Sequence, residues 1–246
     1  MDGLSAFQLG WAALVFMAGF AIRNLAGFGA ILLPALALFL PLAIVVPVVT
    51  LMAVISSIGI AVRHRDEIAW RELRPLLPFS LIGVAIGLYL FDQLSDEVLV
   101  DALGIFVIGF GLYSLVRGTG ASPARRWPRW VVVAPLSTFA AVVGTAFGGM
   151  AGPLYAVYLE WLQLAKGPFR ATMSAILVAL GTLRGLGYLS LGYFDRDTLL
   201  LSAMAVPSAL LGLAIGARLH ARATPEGFRR IVAVLLMVAG AGLLLR

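Results

Sequence analysis

Two glycine-dense stretches and two arginines carry the chemistry that this chain could do. The stretches are Arg23-Asn24-Leu25-Ala26-Gly27-Phe28-Gly29 and Thr145-Ala146-Phe147-Gly148-Gly149-Met150-Ala151-Gly152-Pro153. Glycine at that density frees backbone amides from regular helix. Bare backbone at membrane depth is tolerated only where protein or a water-filled cavity covers it. A half-helix starting at such a break aims its N–H groups and positive dipole end at the cavity, which suits an anion. The plainer alternative is that the glycines only let helices cross closely. The candidate substrate contacts are Arg23, Asn24, Gly27, Phe28 and Gly29 in the first break, Thr145, Phe147, Gly148 and Gly149 in the second, and Arg184.

Arg184 stands inside a long apolar segment. A central arginine costs about 2.5–3.5 kcal/mol on insertion scales, so it faces a cavity or finds a partner. No carboxylate lies in a neighbouring apolar core, so the counter-charge is either the substrate or, in the alternative, backbone carbonyls or the interface. Arg23, at a segment end, has the same two readings. Thr50 and Thr172 occupy related places, and their hydroxyls either line a pathway or bond back to their own helix. Glu160 reads as an anchor near a cytoplasmic end. His64 and His220 fall in basic breaks, which leaves no intramembrane histidine for a base or a metal. There is no phosphate-binding loop, no His-Glu-x-x-His and no cysteine, so neither an enzyme nor a cofactor is expected.

The elements that must position these residues follow from composition. Hydrophobic residues make up 61% of 246 and charged residues 12%, with a mean hydropathy of +1.01. Soluble domains are about 45–50% apolar and roughly 25% charged. The excess needs lipid as its solvent. A net charge of +6 then reflects cytoplasmic loops rather than nucleic acid.

Ten apolar stretches recur: 6–22, 28–40, 42–62, 73–91, 98–116, 130–146, 150–164, 169–191, 199–217 and 231–245. A spanning helix needs about 20 residues, so the second and seventh read as half-length or re-entrant. Phe28-Gly29 with Pro34 recurs as Phe147-Gly148 with Pro153. Residues 81–87, Leu-Ile-Gly-Val-Ala-Ile-Gly, recur as Leu-Leu-Gly-Leu-Ala-Ile-Gly at 210–216, and Pro78, Glu97 and Arg117 match Pro207, Glu226 and Arg246. The Gly83/Gly87 and Gly212/Gly216 spacings read as small-residue ridges for helix packing. The chain thus divides into a first repeat, 1–117, a cytoplasmic linker, 118–129, and a second repeat, 130–246. Five segments is an odd number, so the second copy is inverted. With the Arg63–Arg74 break in the cytoplasm, only Arg184, Arg196 and Arg246 of the 18 basic residues fall off that side. The expected fold is an all-α integral membrane protein of 8–10 membrane helices. They form two inverted-topology repeats with broken or re-entrant helices at the midplane, and both termini are extracytoplasmic.

The repeated Gly-Phe-Gly and Ala-Phe-Gly-Gly breaks, followed by Arg63-His64-Arg65-Asp66-Glu67-Ile68-Ala69-Trp70, resemble the sulfite exporter TauE/SafE family, also called the toluene-sulfonate uptake permeases. Phe169-Arg170-Ala171-Thr172 and Gly192-Tyr193-Phe194-Asp195 are similar to that family too. The likeness runs over nearly the whole chain. It departs at Ala30, where the family often has a further glycine. The resemblance implies a secondary transporter of sulfite or organosulfonates in the inner membrane, with a small anion and lipid as partners. A homodimer is left open. A passive anion channel shares every feature except alternating access, and a membrane-embedded enzyme is a distant third.

Overall fold

The computed structural model describes residues 4–26, 31–116, 129–148, 150–219 and 225–246, and among these it is helical with no strand. In chain order the helices are α1 (Ala6–Ala26), α2 (Leu32–Ala37), α3 (Leu42–Arg63), α4 (Trp70–Leu73), α5 (Leu76–Gln93), α6 (Asp96–Val116), α7 (Arg129–Ala146), α8 (Gly152–Trp161), α9 (Lys166–Ser190), α10 (Arg196–Leu219) and α11 (Pro225–Leu244). Five are long and apolar enough to cross a membrane: α3, α5, α6, α9 and α10. The apolar stretches of α1, α7 and α11 are shorter. At 1.5 Å per residue α2 is only about 9 Å long and α8 about 15 Å, against roughly 30 Å of hydrocarbon. The two segments expected to be short are half-helices.

The helices gather into two compact units, each drawing on both halves of the sequence. One holds residues 1–48, 94–120 and 194–246; the other holds 49–93 and 121–193. Helix α3 contributes its first turns to one unit and the rest to the other.

In the first unit α1 packs along α10, and α6 along α11. Glycine sets both approaches, because a methyl group at Gly212 would strike the backbone of Met17. In the second pair Gly111 lies on the carbonyl of Ala233. Its counterpart in the repeat, Gly240, lies on the carbonyl of Gly104, itself the counterpart of Ala233. The contact therefore maps onto itself when the two halves are exchanged. The half-helix α2 has backbone carbonyls to satisfy in or near its short length. Trp11 Nε1 donates to the Ala35 carbonyl at 3.0 Å, Arg246 Nη1 to that of Ala37 at 2.6 Å, and Gln8 Nε2 to that of Phe39 at 3.0 Å.

In the second unit α5 packs along α7, and α9 lies against α5 and α8. Here too the ridge glycines make the approach. A methyl at Gly83 would meet the Thr138 carbonyl, and one at Gly87 would meet the Thr145 side chain. The expected ridges are thus seen at Gly83, Gly87 and Gly212. Outward positions on the same helices are large and apolar, including Leu81, Ile82 and Tyr89 on α5 and Leu210 and Leu211 on α10. Inward positions include small and polar residues, Ser80, Gly83 and Gly87 on α5 and Thr198, Ser202 and Gly212 on α10. That distribution suits lipid as solvent, where close backbone packing replaces the hydrophobic effect between helices.

Candidate functional site: a buried arginine at a broken helix

Helix α7 stops at Ala146 because Gly148 adopts the left-handed conformation, φ +53°, which L side chains rarely take. The chain then re-enters helix at Gly152, with Pro153 in the first turn of α8, where a missing N–H costs nothing. Between them the last carbonyls of α7 have no helical partner. Helix α9 supplies the donors. Arg184 Nη1 donates to the Gly144 carbonyl, and the Tyr188 hydroxyl, one turn on, donates to the Thr145 carbonyl. A cation and a hydroxyl thus sit on the negative end of the α7 dipole.

Arg184 is 1% exposed and is the largest fully buried side chain among the described residues. Its Nε also donates to Leu180 in its own helix, at 3.0 Å. A guanidinium has five N–H donors, and the others have no acceptor among the described residues. Nor does any carboxylate pair with it there. The titratable side chains within electrostatic reach are Tyr188 and Tyr155. Tyr155, on α8, is buried and shares a 3.3 Å hydrogen bond with Ser80 on α5. Gly144 is needed for this arrangement: an added methyl would stand 2.6 Å from Arg184 Nη1 and 2.7 Å from the Ala151 Cβ.

The predicted contacts divide in three. Arg184, Thr145, Phe147 and Gly148 come together at the α7–α8 break. The Thr145 hydroxyl turns back to the Ala141 carbonyl at 2.7 Å while its carbonyl serves Tyr188, and Phe147 is buried. Arg23 and Asn24 lie in the last turn of α1, and their side chains lie outside the described residues, as do Gly27, Phe28, Gly29 and Gly149. Most of the 118–129 linker and His220 lie outside them as well.

Sequence reasoning passed over Tyr188, Tyr155, Ser80 and Gly144. Tyr188 had a signal, since it lies four residues after Arg184 and shares its helix face. The other three are set by tertiary approach. Of the two threonines, Thr172 is spent on accepting from the Ala69 amide at 2.9 Å, whereas buried Thr50 has an unbonded hydroxyl.

At one end of this unit, a Schellman turn with Gly192 at φ +81° closes α9: Tyr193 N–H bonds to Tyr188 and Gly192 N–H to Leu189. Phe91, Tyr188 and Tyr193 pack edge to face there, and the Tyr193 hydroxyl donates to Asp92 at 3.2 Å. Partial burial, then the Asp92 carboxylate, pushes that hydroxyl above its ordinary range, so it stays a neutral donor.

A family model described as Sulfite exporter TauE/SafE matches residues 11–243, nearly the whole chain. The chain belongs to the sulfite exporter TauE/SafE family. It is also similar to a curated protein of Comamonas testosteroni, named Probable inner membrane transporter protein TsaS. The two are 30% identical over 178 residues, which cover 72% of this chain and 73% of that one. No solved structure matches. This TauE/SafE chain is accordingly an integral membrane transporter. The duplicated breaks that carried the sequence resemblance include the α7–α8 break that Arg184 and Tyr188 hold.

Proposed function

We propose that this protein is a secondary transporter of small oxyanions of sulfur, sulfite or organosulfonates, in the inner membrane. Its substrate would bind at the Arg184 break, and alternating access would occur between two inverted repeats. The observation that carries this reading is a fully buried guanidinium with unspent donors and, among the described residues, no carboxylate beside it. Such a charge is costly at membrane depth unless carbonyls or an anion meet it, and carbonyls meet only two of its N–H groups among the described residues. Its planar fork matches two oxygens of a sulfonate through charge-assisted bonds, which an ammonium cannot reproduce. The names of the family and of the Comamonas testosteroni relative, a sulfite exporter and a probable inner membrane transporter, point the same way.

Within this reading Arg184 has two tasks. One edge fixes the end of α7, and the remaining N–H groups meet the anion. Gly148 and Gly149 leave two successive positions of the chain between α7 and α8 without side chains, and Arg23, Asn24, Gly27, Phe28 and Gly29 are the equivalent break in the first repeat. The test is a thermal-shift titration of the purified protein with sulfite, thiosulfate, sulfoacetate and taurine, with carboxylates as controls. A ligand that binds the native state raises the melting temperature by mass action. Stabilisation by sulfur oxyanions is the expected result, and no shift with any of them would overturn the proposal.

A further inference from the structure

Thr50 lies on α3, 1% exposed, and its hydroxyl has no hydrogen-bond partner. Hydroxyls inside helices usually bond back to a carbonyl one turn earlier. This chain follows the rule at Thr145 with Ala141, Ser56 with Met52 and Ser208 with Met204. Thr50 does not. A buried hydroxyl left unpaired is costly, so it needs an explanation in the native state.

Its surroundings supply one. Thr50 lies against α9 at Gly181 and Tyr188, and Arg184 falls between those two residues on the same helix face, at spacings of three and four. Gly181 lets α3 come close, since an added methyl would meet Val54 Cγ2 at 2.5 Å and stand 4.0 Å from the Thr50 carbonyl. The Tyr188 hydroxyl lies within side-chain hydrogen-bonding reach of Thr50 but outside bonded geometry, and it has given its proton to the Thr145 carbonyl, so it cannot donate to a ligand. Thr198 and Ser202 also have unpaired buried hydroxyls, but they belong to the other compact unit. Among the described residues Thr50 alone combines an unpaired O–H with a place against the helix face that carries Arg184.

We infer that the Thr50 hydroxyl is a substrate donor that selects anions with three terminal oxygens over those with two. The inference rests on the anion-site reading of Arg184. The guanidinium fork takes two oxygens, which a carboxylate and a sulfonate both offer. The third oxygen of a sulfonate or sulfite then accepts from Thr50. A carboxylate has no third oxygen and leaves the hydroxyl unpaired, which is how a buried polar group discriminates between ligands.

Methanesulfonate and acetate differ in this respect while sharing a methyl group and a single negative charge. Binding of each is measured on the purified full chain and on Thr50→Val, Thr50→Ser and Arg184→Gln. The native protein and Thr50→Ser are expected to prefer methanesulfonate. Thr50→Val, which keeps the shape and loses the hydroxyl, is expected to bind methanesulfonate about ten- to a hundredfold more weakly and acetate unchanged. Arg184→Gln is expected to lose both. If Thr50→Val keeps full methanesulfonate affinity, weakens both anions equally, or is not matched in the opposite sense by Thr50→Ser, the Thr50 inference falls while Arg184 stands. If Arg184→Gln binds methanesulfonate as the native chain does, the anion-site reading falls and takes the inference with it.

Discussion

At the scale of the residue, Arg184 joins structure to function because one side chain serves a backbone carbonyl and, in our proposal, the substrate. Arg184→Lys keeps the charge but loses the planar fork, and anion affinity is expected to fall about tenfold. Arg184→Gln removes the charge and should weaken binding about a hundredfold or more. The glutamine variant should also melt lower, because the buried Gly144 carbonyl loses a charged donor, a loss of about 1–3 kcal/mol. Binding isotherms and melting curves of the three proteins, all inserted and monodisperse, separate the two tasks. A variant that melts lower but binds normally would leave Arg184 as a clamp on α7 alone. Gly148 is a second residue-scale case. Gly148→Leu places a branched side chain at φ +53° beside the break, so protein should reach the membrane while transport is abolished. Normal uptake or efflux by that variant would return the glycine to ordinary packing.

At the scale of the element, the helices of this protein are held by what their glycines permit. Gly83→Val on α5 would drive a side chain into the Thr138 carbonyl and the Ala141 methyl of α7, and neither can move without the helix. Overpacking of this kind costs about 1–3 kcal/mol, so the melting temperature should drop by several degrees. Gly109→Ala on α6 is the control. Nothing lies within 4 Å of the added methyl, and alanine is the better helix former, so stability should be unchanged or slightly raised. Differential melting in detergent checks both. Equal effects would mean that the ridge does not set the α5–α7 approach. The half-helices α2 and α8 have a different logic. Each is too short to cross, and side chains from neighbouring elements reach in to pair with backbone carbonyls at the breaks, Trp11 and Arg246 at α2 and Arg184 and Tyr188 at the end of α7.

At the scale of the whole molecule, the proposal is one of inverted topology. The helix pairings agree with an exchange of halves: α1 packs on α10 in one unit and α7 on α5 in the other, and α6 packs on α11 through matched glycines. In this proposal, which the distribution of arginine and lysine motivates, the 118–129 linker is cytoplasmic and both termini are outside. Reporter fusions at Arg246 and within 118–129 test this. The expected result is an extracytoplasmic reporter at the C-terminus and a cytoplasmic one in the linker, and a cytoplasmic C-terminus would sink the inverted arrangement.

By itself the sequence determined the class, the segment boundaries, the half-length of the second and seventh segments and the family. Each rests on a local or periodic property: apolar runs set against bilayer thickness, glycine set against helix, and a repeat visible as matched residues at a nearly constant offset. It also singled out Arg184, because a lone charge in an apolar segment is conspicuous without any structure. Tertiary structure decided what surrounds that charge. That α9 caps the end of α7, that Gly144 makes room for the guanidinium and that Tyr188 takes the next carbonyl all depend on approaches between segments some forty residues apart. Thr50 shows the difference most clearly. Helix geometry offers every buried threonine a carbonyl of its own, so the sequence favours a hydroxyl that is already satisfied. Only the packing of α3 against the Gly181–Tyr188 face leaves this one unpaired on the helix face that carries Arg184.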